Sequence, residues 1–281
     1  MWFKRDLRLS DHEPLFRAMQ EELPVLLVYV FEPDVIGSSE YSLRHWRFVW
    51  ESLQAMQSEV SGKIHVLYGD CLSIFKTVVE FYDVQNVFSY QETGIQITYD
   101  RDLKVSDHFN QERIKWIEFQ TNGVKRGWVN RNGWSKAWYT TMSEPLVEVR
   151  ISKTKLLYDQ ELVDRFSDAD FLNSLDDAHP MQRGGESLAR QYLITFFEER
   201  GTTYNQHISK PTESRRSCSR LSPYLAWGNL SIKQVYHAML KAKKEGNKRN
   251  LTAFGSRLRW HCHFIQKFEM GGRYEFENIN K

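Results

Sequence analysis

The sequence predicts an α/β doubly wound parallel sheet followed by an all-α half. Three observations carry that expectation. Short apolar runs alternate with helical patterns over the first half, no strand-like run follows Gly185, and the charge changes sign between the halves. Met1–Phe3, Val25–Phe31, Ile64–Tyr68, Asn86–Tyr90 and Trp116–Phe119 are bounded by turn residues and rich in β-branched and aromatic types, as buried strands are. Between them, 13–22, 42–61, 71–82 and 99–110 read as helices. In the second of these Leu43, Trp46, Trp50, Leu53 and Met56 recur at threes and fours, which buries one helical face. Such alternation implies βαβ units and a parallel sheet, and these sheets bind ligands at the carboxyl ends of their strands. The first strand is shorter than the usual ~5–6 residues, so the sequence reads as trimmed at its start.

Residues 143–182 lose this rhythm, and SEPLVEVR and DDAHPMQRGG read as a long connection. The expected organisation is a first domain over 1–142, a connection over 143–183, and a helical domain over 184–281. In the last, 186–200, 223–227, 232–244 and 250–269 read as helices, and GGRYEFENINK closes no obvious element.

Composition bounds the function. Hydrophobic residues make up 41%, enough for a packed core and too many for a disordered chain. No apolar run approaches the ~18 residues of a membrane span, and the charged opening MWFKRDLRLSD lacks the apolar stretch of a signal peptide. Three scattered cysteines (Cys71, Cys218, Cys262) argue against a disulfide framework and for a reducing, cytoplasmic setting. Residues 1–182 carry 20 Lys and Arg against 28 Asp and Glu, a net of −8; residues 183–281 carry 18 against 8, a net of +10. A basic half joined to an acidic one points to a polyanion partner for the basic half, with a merely solvated helical surface as the alternative.

The stretch 217-SCSRLSPYLAWGNLS-231 is the densest in candidate chemistry. Ser222 followed by Pro223 has the form of an N-cap and a first-turn proline. With Ser219 and Arg220 it would make an anion site at a helix start; the plain alternative is a cap and nothing more. WHCHF at 260–264 raises a metal site, but on a helix His261 and His263 lie ~200° apart and cannot share an ion. Trp260, Phe264 and Phe268 recur at four, which favours the helix, so no metal is expected. Trp128, Trp134 and Trp138 could shield a chromophore or be ordinary core, and core is the preferred reading.

SCSRLSPYL resembles the TSRLSPYL-type flavin-binding motif of the DNA photolyase/cryptochrome family. Four more segments resemble that family in the right order. They are WFKRDLRLSDHEPL at 2–15, GGE at 184–186, LSPYLAWGNLSIKQVYHAM at 221–239 and SRLRWHCHFIQKF at 256–268. The resemblance implies an antenna-bearing α/β domain followed by an all-α domain that holds FAD, the latter incomplete here. It implies light-driven repair of pyrimidine dimers by electron transfer from reduced FAD, or in the cryptochrome branch blue-light signalling without repair. UV-damaged DNA would meet the basic helical half of a monomer. A plain nucleotide-binding α/β module remains as a third reading, distinguished by lack of blue absorbance.

Carried over by position, Tyr204 matches the tyrosine that contacts FAD, and Cys218, Ser219, Arg220, Leu221 and Ser222 match the loop around its phosphates. Cys218 stands for the usual threonine, a loss of one hydroxyl hydrogen bond and about 1 kcal/mol. Phe254 matches a position beside the flavin where tryptophan is common. Trp260 matches the tryptophan against which a flipped dimer rests. Arg257 stands where dimer photolyases carry a glutamate, His261 where arginine is usual, and Cys262 where glutamate is usual. An acceptor has become a donor, which alters the hydrogen bonding offered to a thymine pair. The resemblance places the catalytic flavin-side residues beyond Lys281. A second antenna chromophore of folate or deazaflavin type is implied, with no residues matched to it.

Overall fold

The structure, a computed structural model, describes residues 1–177, 179, 181–246 and 248–278. Ala178 and Pro180 of the expected connection, and Asn247 and residues 279–281 of the expected helical domain, lie outside the described residues. In chain order the first elements are β1 (Trp2–Phe3), α1 (Glu13–Gln20), β2 (Leu27–Phe31), α2 (Pro33–Ile36), α3 (Leu43–Glu59), β3 (Ile64–Tyr68), α4 (Cys71–Phe81), β4 (Asn86–Tyr90), α5 (Gln96–Gln111) and β5 (Lys115–Phe119). Then come α6 (Trp134–Ser143), α7 (Gln160–Arg165), α8 (Ala169–Leu175), α9 (Glu186–Glu198), α10 (Tyr204–His207), α11 (Pro211–Ser217), α12 (Ser222–Ala226), α13 (Ile232–Glu245) and α14 (Lys248–Met270). No strand follows Gly185 among the described residues.

The chain forms two compact units, Met1–Phe119 with Val147–Gly185, and Gln120–Leu146 with Glu186–Lys281. Residues 120–142, read from sequence with the first domain, pack with the helical unit. The division at Gly185 falls on the glycine pair, and sterics explain the first glycine. A side chain at Gly184 would put its Cβ 2.1 Å from the Phe48 carbonyl oxygen on α3. Gly185 has φ +118°, where other residues are strained.

In the first unit all strand pairs are parallel. β2 joins β1 to β3, with Val28 opposite Trp2 and His65, and β4 pairs with β5 from Asn86–Lys115 to Tyr90–Phe119. Every residue of β2 is buried, as in a parallel strand covered on both faces. Trp2 anchors the core against Phe75 and Trp116, with ring centroids 4.9 and 5.5 Å away. The order α/β then helical is the one the sequence predicts.

Several boundaries differ for local reasons. β2 starts at Leu27 because Val25 leaves the ladder to bridge Leu156, through Val25 N–H to the Lys155 carbonyl (2.8 Å) and Leu157 N–H to the Val25 carbonyl (3.0 Å). The expected connection carries two short helices. Asp159 and Asp168 cap them, accepting from the N–H groups of Leu162 (3.2 Å) and Phe171 (2.8 Å).

The helical unit has an aromatic core. Phe254 of α14 lies 4.7 Å from Phe196, 5.8 Å from Phe197 and 5.8 Å from Tyr204. Trp134 and Trp138 of α6 are buried and Trp128 is half-buried, in line with the preference for core.

Candidate functional site

The stretch 217–222 is a tight turn between two short helices. α11 ends when the Cys218 N–H returns to the Ser214 carbonyl at 2.9 Å. Arg220 then takes φ +60°, a left-handed conformation uncommon outside glycine. Leu221 follows in the right-handed region. A left-handed residue next to a right-handed one is the backbone pattern that turns successive N–H groups toward one side, the concavity that binds anions. The sequence expected Ser222 as the cap of α12. Instead Leu221 takes that place without a side-chain cap bond, and Ser222 opens the helix. The left-handed turn starts the helix one residue earlier, so that the Leu225 N–H reaches the Leu221 carbonyl at 2.9 Å. Leu221 is buried, Cys218 and Ser219 are half-buried, and Arg220 and Ser222 are exposed.

Behind this turn lies a residue that sequence reasoning did not single out. Arg200, in the single helical turn Arg200–Thr203, donates to the carbonyls of Cys218 and Ser219, the latter at 3.3 Å. It also donates to the Tyr192 carbonyl at 2.8 Å and to the Thr195 hydroxyl at 3.2 Å. Every acceptor is neutral, and no carboxylate pairs with Arg200 among the described residues. Burial lowers its pKa and the charge of Arg220 adds to that lowering. No local signal marks it in the sequence, because the contact spans 18 residues and a charged residue closing a helix is ordinary.

Tyr204 sits beside the turn, its ring 5.5 Å from Phe196. Burial pushes its phenol up to about 12; Arg257 opposes the rise and Cys218 adds to it. Tyr204, Cys218, Phe254 and Arg257 therefore share one neighbourhood. Phe254 is fully in the core at 3% exposure.

Trp260 lies at its edge. The Arg257 guanidinium stands 4.2 Å from the centre of the Trp260 ring, while the indole remains 45% exposed. Trp260 lines an open groove with Arg131, Trp134, Arg259, His263 and Phe264, a lining that does not include residues 218–222. The Arg131 guanidinium donates to His263 Nε2 at 2.7 Å. Burial lowers the His263 pKa, and the charges of Arg131, Arg259 and Lys267 lower it further. His261 is half-buried on the same helix. Cys262 is buried and its thiol is pushed up to about 11 by that burial. Among the described residues no group of three or more His, Cys, Asp or Glu could hold a metal ion.

The carboxyl ends of the strands in the first unit carry a different kind of polar cluster. Lys4 pairs with Asp102 at 2.6 Å and Arg5 with Glu92 at 3.0 Å. Arg101 pairs with Glu32, with Glu92 at 2.8 Å and with Asp102 at 2.9 Å. Burial alone would raise Glu92, but Arg5, Arg101 and Lys4 outweigh it and hold the carboxyl at about 2.

The chain and its fold resemble those of known proteins. A deoxyribodipyrimidine photo-lyase of Halobacterium salinarum is 24% identical, over 99% of this chain and 63% of its own length. Cryptochrome-2 of Gallus gallus is 21% identical, over 89% of this chain and 47% of its own. The crystal structure of an archaeal photolyase from Sulfolobus tokodaii, described with two FAD molecules, superposes with a TM-score of 0.72 at 22% identity. It covers 99% of this chain and 63% of that one. This chain thus spans roughly half to two-thirds of the curated relatives it matches. No described helix is long and apolar enough to cross a membrane. The family model for DNA photolyase matches residues 1–143, and the chain belongs to that family.

Proposed function

We propose that this chain is the α/β domain and the phosphate-gripping part of the helical domain of a protein that repairs pyrimidine dimers in DNA with light and reduced FAD. The observation that supports this reading is the 218–222 turn. It combines a left-handed to right-handed backbone step with the neighbouring Arg200 and Arg257, neither of which pairs with a carboxylate among the described residues, and with the buried phenol of Tyr204. That donor set fits a diphosphate: N–H groups and guanidinium charge complement two adjacent anionic groups.

In this reading Ser219, Arg220, Leu221 and Ser222 give N–H and hydroxyl donors to the diphosphate of FAD. Cys218 closes the turn by its backbone rather than its thiol. Tyr204 remains a neutral phenol across the physiological range and gives a hydrogen bond without repelling the anion. Phe254 provides the apolar floor next to them. Bound and reduced FAD supplies, on absorbing blue light, the electron that splits the dimer. Trp260 offers the flat face on which a flipped pyrimidine dimer rests, with Arg257 and His261 bordering it. The +10 charge of residues 183–281 draws the DNA backbone. The protein acts as a cytoplasmic monomer, and a second antenna chromophore, of folate or deazaflavin type, serves the α/β domain.

One observation favours a second reading, a cryptochrome-type photoreceptor without repair. Arg257 covers part of the ring on which the lesion would lie. The test is direct. The full chain is purified with FAD, its absorption near the blue is recorded, and dimer-containing DNA is illuminated. Flavin absorbance with loss of dimers supports repair, and flavin absorbance with dimers intact supports the receptor. Failure to take up flavin rejects both.

A further inference from the structure

We propose that Arg200 is the positioning residue of the anion turn, the group that points its N–H donors outward. The inference rests on the diphosphate reading above and identifies what builds that site. It starts from two carbonyls. Arg200 holds the oxygens of Cys218 and Ser219, two consecutive residues, with one guanidinium. No peptide bond among the described residues is cis. In a planar trans peptide the C=O and the following N–H point in opposite directions. Drawing the Cys218 and Ser219 oxygens toward Arg200 therefore turns the Ser219 and Arg220 N–H groups away from it. The left-handed φ of Arg220 continues that turn into Leu221. Among the described residues the Ser219 N–H has no acceptor.

The other contacts of Arg200 show why it can do this. Its remaining hydrogen bonds go to the Tyr192 carbonyl and the Thr195 hydroxyl on α9, so the guanidinium is fixed to a helix. The Tyr192 and Phe196 rings flank it at 5.7 and 5.9 Å. Because its hydrogen-bond acceptors are neutral, no ion pair among the described residues neutralises it, and its charge adds to the field on the far side of the turn. A lysine in its place keeps the charge but cannot hold two carbonyls in one plane. Arg200 touches no phosphate itself; it acts through the backbone.

The experiment measures binding of three probes to the full chain, with wild type, Arg200→Gln and Arg200→Lys compared. The probes are inorganic pyrophosphate, FAD and riboflavin, which lacks phosphate. Folding of each variant is checked by circular dichroism and thermal melting. Arg200→Gln is expected to weaken pyrophosphate and FAD by roughly tenfold or more, to leave riboflavin within about twofold, and Arg200→Lys to recover part of the loss. Two results overturn the proposal: pyrophosphate affinity unchanged in Arg200→Gln, or a loss shared equally by FAD and riboflavin, which marks a merely structural role. If wild type binds pyrophosphate in an Arg200-dependent way but takes up no FAD, the flavin reading fails while the role of Arg200 stands.

Discussion

The two units treat positive charge in opposite ways. At the strand ends of the first unit Lys4, Arg5 and Arg101 meet Glu32, Glu92 and Asp102, three cations against three carboxylates. In the helical unit Arg200 and Arg257 meet carbonyls, a hydroxyl and an indole, and no carboxylate pairs with either among the described residues. A balanced cluster satisfies itself and needs no ligand to be stable. An unbalanced one keeps its positive potential, and an anion is what completes it. The lesson is that charge at the carboxyl ends of strands is not by itself a site; what matters is whether the fold already supplies the counter-charge.

Breaking the balance should therefore cost stability in the first unit and affinity in the second. The largest effect is expected for Arg101→Met, which leaves three buried carboxylates with two cations. A loss of about 3–5 kcal/mol is expected from equilibrium urea unfolding, and an unchanged midpoint would refute the contrast. Next comes acid. Burial lowers the pKa of His12 despite its contact with Asp6, and that of His65. Their stabilising effect is thus present above the free imidazole value of ~6.5 and is lost as pH falls from there through the lower folded values. Glu92, held at about 2, keeps its full contribution down to the free carboxylate value of 4.5 and loses it progressively as pH falls from there through the folded value. Thermal melts from pH 7.5 to 2 should show an early decline below the free imidazole value and a further one below the free carboxylate value. His65→Gln should flatten the first and leave the second.

The smallest effect is expected for Arg257→Ala. An exposed guanidinium on an indole contributes about 0.5–1 kcal/mol, so the melting point should barely move. The Trp260 ring should open to base stacking, read as stronger tryptophan quenching by thymidine-rich oligonucleotides. Unchanged quenching would mean that the guanidinium does not obstruct the ring.

What could be read from sequence, and what could not, follows from distance along the chain. β3 and β4 were legible to the residue because their apolar runs end at turn residues, as at Tyr68-Gly69. α14 was legible from the fourfold recurrence of its aromatics. α7 and α8 were missed although Asp159 and Asp168 announce them, since six- and seven-residue helices show too little periodicity to register. At the candidate site, the resemblance pointed to residues 218–222 and local chemistry suggested an anion, but the cap was placed one residue late because a left-handed Arg220 has no sequence signature. Arg200 was invisible for the same reason that it matters: it acts on backbone atoms 18 and 19 residues away. The extent of the second unit also escaped, as residues 120–142 follow a strand in sequence yet pack with helices.

The three cysteines make the 218–222 turn a candidate for reporting on its own occupancy. Cys71 and Cys262 are fully buried, with thiols that burial drives upward, whereas Cys218 is half-exposed and all three are free. A mild alkylating reagent on the folded protein should thus modify a single sulfur, at the turn itself. Its rate would register occupancy without any engineered label, since anything seated on residues 219–222 also shadows the neighbouring thiol.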